Sequence, residues 1–193
     1  HRDLHSFPTR RSSDLPGQNT TGLCPIVQFS GEPVYLDGQE PDKAEVEARI
    51  EQYWRPYHKA LEAELARIRD EHGRCVLWEG HSIRSVVPFL FDGKLPDFNL
   101  GTVAGTSCSA ALRDRLVGAL EGQADYSFVV DGRFKGGYIT RHYGRPEQGI
   151  DAVQLELAQL NYMDESSFFY DPDLAEPTRS LIHRLLEAAL EVE

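Results

Sequence analysis

Arg74 to His81, RCVLWEGH, reads as a short buried strand that closes on a polar end, and it comes after a long helical stretch ended by Gly73. Tyr126 to Asp131, YSFVVD, repeats the pattern after a second helical stretch, Ser107 to Leu120, whose apolar stripe is Leu112, Leu116, Val117 and Leu120. Ser107 or Ser109 suits that helix as a cap. Asp151 to Ala158, DAVQLELA, is a third strand, and Pro177 to Val192 is a closing helix with Leu181, Leu185, Leu186 and Ala189 inward. Helices alternating with strands define an α/β fold, with a mixed or parallel sheet covered by helices on both faces.

From Pro41 to His72 the positions Val46, Ile50, Tyr53, Tyr57, Leu61, Leu65 and Ile68 recur at steps of three and four, the spacing of one helical face. Pro41 suits the first turn, and Pro56 predicts a break or kink near Arg55.

The 193 residues suffice for one domain that buries roughly 70% of its unfolded surface. A net charge of −11 disfavours nucleic acid and anionic membranes as partners, although a local basic pocket can still take a small anion. No apolar run reaches membrane-spanning length, and Cys24, Cys75 and Cys108 are too sparse for a disulfide scaffold. A soluble chain in a reducing cytoplasm is the expectation.

Residues 1–15, HRDLHSFPTRRSSDL, have no helical or strand period and are unlike the rest of the chain. They are read as a sequence artefact or a disordered extension, leaving 16–193 as a single α/β domain.

Three groupings could carry chemistry. Alternation along the first strand places Glu79 and His81 on one face and Trp78 and Gly80 on the other, at the carboxyl edge where open α/β sheets bind ligands. Such an imidazole can be a metal ligand oriented by a carboxylate, or a strand-end histidine completing a loop network. The stretch 131–146, DGRFKGGYITRHYGRP, gathers Arg133, Lys135, Arg141, His142 and Arg145 among four glycines. It suits a dicarboxylate; a phosphate loop or an exposed charged hairpin are the rivals, and no GKS or GKT is present. Gln154 and Glu156 share one face of the third strand, opposite Val153, Leu155 and Leu157. Glu156 either takes a proton from water at a metal or lies on the polar face of a half-exposed strand. There is no GxSxG elbow, and no cysteine has an evident base, so activated water is the preferred nucleophile.

The ordered segments TGLCP (21–25), GEPVY (31–35), YWRPYH (53–58), WEGHSIRSVVP (78–88), PDFNLGT (96–102), DGRFKGGYITRHYGRP (131–146) and QLELAQLNYMDE (154–165) together resemble the N-formylglutamate amidohydrolases. The resemblance implies a zinc carboxypeptidase-like, aspartoacylase-like fold and hydrolysis of N-formyl-L-glutamate to glutamate and formate in histidine breakdown. It implies a divalent metal, zinc or cobalt, held by two histidines and an acidic residue. Only the later histidine can be matched here, as His81.

By the same resemblance Glu156 is the residue that activates water, Arg133, Arg141 and Arg145 bind substrate carboxylates, and Glu79 has a supporting part. The family's early proline-histidine-serine-glycine motif, its acidic ligand and its Asn-Arg pair have no counterpart in the 193 residues. The chain is therefore expected to be an incomplete, inactive copy of the parent enzyme. His58, His72 and His142 are the histidines left to substitute, the first two expected to be exposed or half-buried. The alternatives are a deacylase for another N-acyl acidic amino acid and a carboxylate-binding module without catalysis.

Overall fold

A computed structural model describes residues 23–191, so the reading of residues 1–15 falls outside the described residues. Four strands form one sheet: β1 (Cys75–Ile83), β2 (Phe98–Gly101), β3 (Phe128–Val130) and β4 (Ile150–Ala158), in the order β1-β4-β2-β3. β4 runs parallel to β1 and antiparallel to β2, and β2 is parallel to β3, so the sheet is mixed. The three strands read from the sequence are present. β2 is the addition: FNLG is too short to declare a period, yet all four of its residues are buried.

The described residues divide into two units, 23–61 with Val87–Asp92, and Glu62–Val86 with 93–191. The second holds the sheet, and one face of the sheet supplies its core. Phe98 and Leu100 of β2 and Val153, Leu155 and Leu157 of β4 pack with Leu112, Leu116 and Leu120 of α3 (Ala110–Glu121) and Leu181, Leu185 and Ala189 of α5 (Pro172–Leu190). Ser109 caps α3, its hydroxyl accepting from the Leu112 N–H. Leu116 is wholly buried. Leu116→Ala should therefore destabilise the chain by about 3 kcal/mol in urea unfolding. A loss below about 1 kcal/mol would show that this core collapses around the cavity.

Two features of α5 depart from the sequence reading. It begins at Pro172 rather than Pro177, because Asp171 caps it by accepting from the Asp173 and Leu174 N–H groups. Leu186 is 37% exposed rather than inward. One residue past Leu185 is a rotation of about 100°, which carries it off the face that Leu181, Leu185 and Ala189 define.

The long helix also differs. Asp42 is its cap, so Pro41 lies outside the first turn. α1 (Lys43–Arg49) leads through a π-helical turn, Ile50–Trp54, into α2 (Arg55–His72), and the Arg55 N–H reaches the Ile50 carbonyl. Pro56, which has no N–H to give, thus falls where the α-helical ladder is already interrupted. The expected stripe holds at Val46, Ile50, Leu61, Leu65 and Ile68, and only in and just after the wider turn does it move by one residue, from Tyr53 and Tyr57 to Trp54 and His58. Ile50, His58 and Leu65 are buried, whereas Tyr53 and Tyr57, expected inward, are exposed.

Candidate active site

The opposite face of the sheet is polar. In the parallel register of β1 and β4, Glu79 lies beside Gln154 and His81 beside Glu156; across the antiparallel pair Asn99 lies beside Glu156 and Gly101 beside Gln154. Strand alternation thus gathers Glu79, His81, Asn99, Gln154 and Glu156 on one surface, while Val153, Leu155 and Leu157 turn to the core. α4 (Tyr138–Tyr143) contacts β4 and β1.

His81 Nε2 stands 3.1 Å from Glu79 Oε1, and the other Glu79 oxygen, Oε2, accepts a hydrogen bond from Thr140 Oγ1 at 2.9 Å. The His81 side chain is 45% exposed and that of Glu79 16%. The hydrogen bond to Glu79 raises the imidazole pKa above its ordinary value, with the nearby Glu79 and Glu156 charges adding to it and burial opposing it.

Glu156 is 7% exposed. Its carboxyl is pushed up to about 7, mainly by burial, with the Glu79 charge adding and His81 and the Gln154 hydrogen bond opposing. The half-exposed strand is therefore not what forms: residues 151–158 are all buried. Gln154 is fixed from its other end, since the Gly137 N–H donates to its Oε1 at 2.7 Å, turning Nε2 toward Glu156 Oε2 at 3.4 Å. Asn99 donates from Nδ2 to the Pro96 carbonyl (2.8 Å) and the Glu156 carbonyl (3.1 Å), tying β2 to β4 beside the carboxylate.

The arginine-rich stretch divides. Arg133 lies in the turn after β3, its guanidinium carbon 5.4 Å from the Phe134 ring centroid, and burial lowers its pKa. Arg141, on α4, donates to the Gly136 carbonyl at 3.0 Å, and Arg145 donates to the Gly144 carbonyl at 3.2 Å. All three arginines are partly buried, so this is not the freely exposed charged hairpin.

His81 has one ring nitrogen held by a carboxylate, and no hydrogen bond to its Nδ1 is found among the described residues, the arrangement that orients an imidazole toward a metal. Among the described residues no three His, Cys, Asp or Glu side chains form a group able to hold one. The fit is therefore to a single ligand position. The three histidines left as substitutes, His58, His72 and His142, are engaged elsewhere. His58 is buried, against expectation, with its ring 4.0 Å from that of Trp54; His72 is exposed beside Glu71; His142 stacks on Tyr138 at 4.9 Å. Thr140 and Asn99 received no role from the sequence, because an isolated threonine in a glycine-rich loop and an asparagine in a four-residue strand carry no spacing signal.

A mixed sheet flanked by helices, with α3 and α5 on its apolar face and α4 against its polar face, where a buried carboxylate lies beside a carboxylate-held imidazole, defines an α/β protein with a candidate acid-base site. The sequence profile of the N-formylglutamate amidohydrolases matches residues 2–163. N-formylglutamate deformylase of Pseudomonas aeruginosa is 53% identical over 184 residues, covering 94% of this chain and 69% of the relative. The enzyme of that name from Pseudomonas putida is 54% identical over 172 residues, covering 89% and 64%. The crystal structure of N-formylglutamate amidohydrolase from Ralstonia eutropha superposes with a TM-score of 0.64 at 28% identity, over 76% of this chain and 55% of that one. The chain belongs to the N-formylglutamate amidohydrolase family. It spans about two thirds of the length of these curated relatives.

Proposed function

We propose that the protein to which these residues belong hydrolyses N-formyl-L-glutamate to L-glutamate and formate in a metal-dependent reaction of histidine breakdown. The observation that carries this reading is Glu156, a buried carboxyl with its pKa moved to about 7, set beside a carboxylate-held His81 in a chain half identical to two deformylases. The zinc carboxypeptidase-like, aspartoacylase-like assignment of the sheet belongs to the same reading and is supported by His81 near the carboxyl end of β1. Cytoplasmic placement is supported by cysteines that remain free, Cys75 and Cys108 being buried.

His81 would hold the metal, zinc or cobalt, together with ligands outside the described residues. When bound, such an ion supplies Lewis acidity and lowers the pKa of water. Glu156 takes a proton from the attacking water and returns it to the amide nitrogen as the C–N bond breaks. A carboxyl poised near neutrality can do both. Gln154, clamped by the Gly137 N–H, keeps the carboxylate facing the reaction. Arg133 and Arg141 bind the two substrate carboxylates, with Arg145 as the third candidate cation; partial burial strengthens such contacts by excluding water.

The test is a chimaera in which the remaining third of the Pseudomonas putida relative is joined to this chain and supplied with zinc. Formate release is measured alongside turnover of the acetyl and succinyl glutamates. Formyl should be preferred by at least about tenfold, the order expected for a pocket fitted to one acyl size. Preference for a larger acyl group would reassign the enzyme to another N-acyl acidic amino acid. Tight binding of N-formylglutamate with no turnover would reduce it to a carboxylate-binding module.

A further inference from the structure

The Thr140 hydroxyl crosses from α4 to the sheet. A threonine in a helix can bond back to the carbonyl four residues earlier, but Thr140 stands in the first turn, and Gly136 precedes the helix. Here that carbonyl, of Gly136, accepts from Arg141 Nη1 at 3.0 Å, while Thr140 Oγ1 crosses to the sheet and donates to Glu79 Oε2 at 2.9 Å. Thr140 is 0% exposed, so no solvent competes for the bond.

The approach is made possible by Gly136. A Cβ there would lie 3.2 Å from Thr140 Cβ and Cγ2 and 3.0 Å from Val103 Cγ2, and its φ of +113° is one that side-chain-bearing residues rarely adopt. The neighbouring strand is equally close: a Cβ on Gly101 would stand 2.7 Å from the Gly136 nitrogen.

A carboxylate anchored through one oxygen can still swing about its terminal torsion, which is broad for glutamate. Bound through Oε2, it is fixed with Oε1 facing the imidazole. We propose that Thr140 is a positioning residue: its hydroxyl locks the Glu79 carboxylate so that His81 Nε2–H is held and the neutral imidazole is kept in the tautomer with Nδ1 unprotonated. The positioning stands on the hydrogen bonds alone, whereas its consequence for metal binding rests on the proposed function.

Two measurements separate these layers. In the metal-free 193-residue chain, at a pH where the imidazole is neutral, nitrogen-15 spectra of His81 should show almost only the Nε2–H tautomer. Thr140→Val keeps the shape and removes the hydroxyl; it should return His81 to the tautomer mixture of an unrestrained imidazole, while Thr140→Ser should restore the native spectrum. In the chimaera, equilibrium dialysis against zinc should show affinity lowered by about tenfold in the valine variant and not in the serine variant, the scale seen when an orienting partner is lost. If valine destabilises the fold, Thr140→Ala is measured in its place. An unchanged tautomer without the hydroxyl overturns the inference. A changed tautomer with unchanged zinc affinity upholds the positioning and overturns His81 as a ligand.

Discussion

Glu156→Gln is expected to lower formate release by about 10²-fold or more while leaving the bound zinc of the chimaera unchanged. Glutamine has the same length and shape, so it fills the same buried place on β4 and still offers an oxygen to Gln154 Nε2. What it lacks is a site that gains and loses a proton near neutrality. The loss should appear in kcat rather than KM, since the arginines and the substrate-binding surface are untouched. Turnover in the native range would remove Glu156 from the reaction and leave its burial without a chemical reason. Loss of zinc together with activity would instead make Glu156 a ligand.

Much of this site follows from strand alternation. Glu79 with His81, and Gln154 with Glu156, are pairs two residues apart in apolar runs, and the period of a strand must place each pair on one face. That the two faces coincide is a matter of register, which no single strand contains. The parallel pairing of β1 with β4 sets His81 beside Glu156 and Glu79 beside Gln154. β2 was illegible for a different reason. Its four residues are too few to show a period, and its place in the sheet comes from antiparallel pairing with β4 and from the Asn99 bonds. The stripe of the long helix was legible except at Tyr53 and Tyr57, where the π turn at Ile50–Trp54, which a 3.6-residue pattern cannot anticipate, turns Trp54 and His58 inward in their place. The stretch 131–146 announced its arginines through charge. Its connection to His81 runs through Thr140, a residue that stands out only once α4 is laid against β1.

The burial of Glu156 has a thermodynamic signature that can be measured without substrate. Its carboxyl, ordinarily at 4.5, is moved to about 7, chiefly by burial. Between those values the folded chain holds a proton that the unfolded chain has released, so stability falls as pH rises through this window and levels off above it. The difference between the two values corresponds to about 3 kcal/mol. His81 acts over a neighbouring range: its raised pKa adds stability below about 6.5, the unfolded value, and that stability is lost as pH rises through the folded value. Because the ring is half exposed, its share is the smaller, and most of it persists when Glu79 remains.

Glu156→Gln removes the titration of the carboxyl and leaves most of that of the imidazole. In metal-free samples the variant should therefore match the native chain near pH 4 and exceed it by about 3 kcal/mol near pH 8, measured by urea unfolding at each pH. A difference that does not grow with pH would mean that the Glu156 carboxyl ionises in the folded chain as readily as in the unfolded one. It would then be no better tuned for proton transfer at neutrality than a surface glutamate.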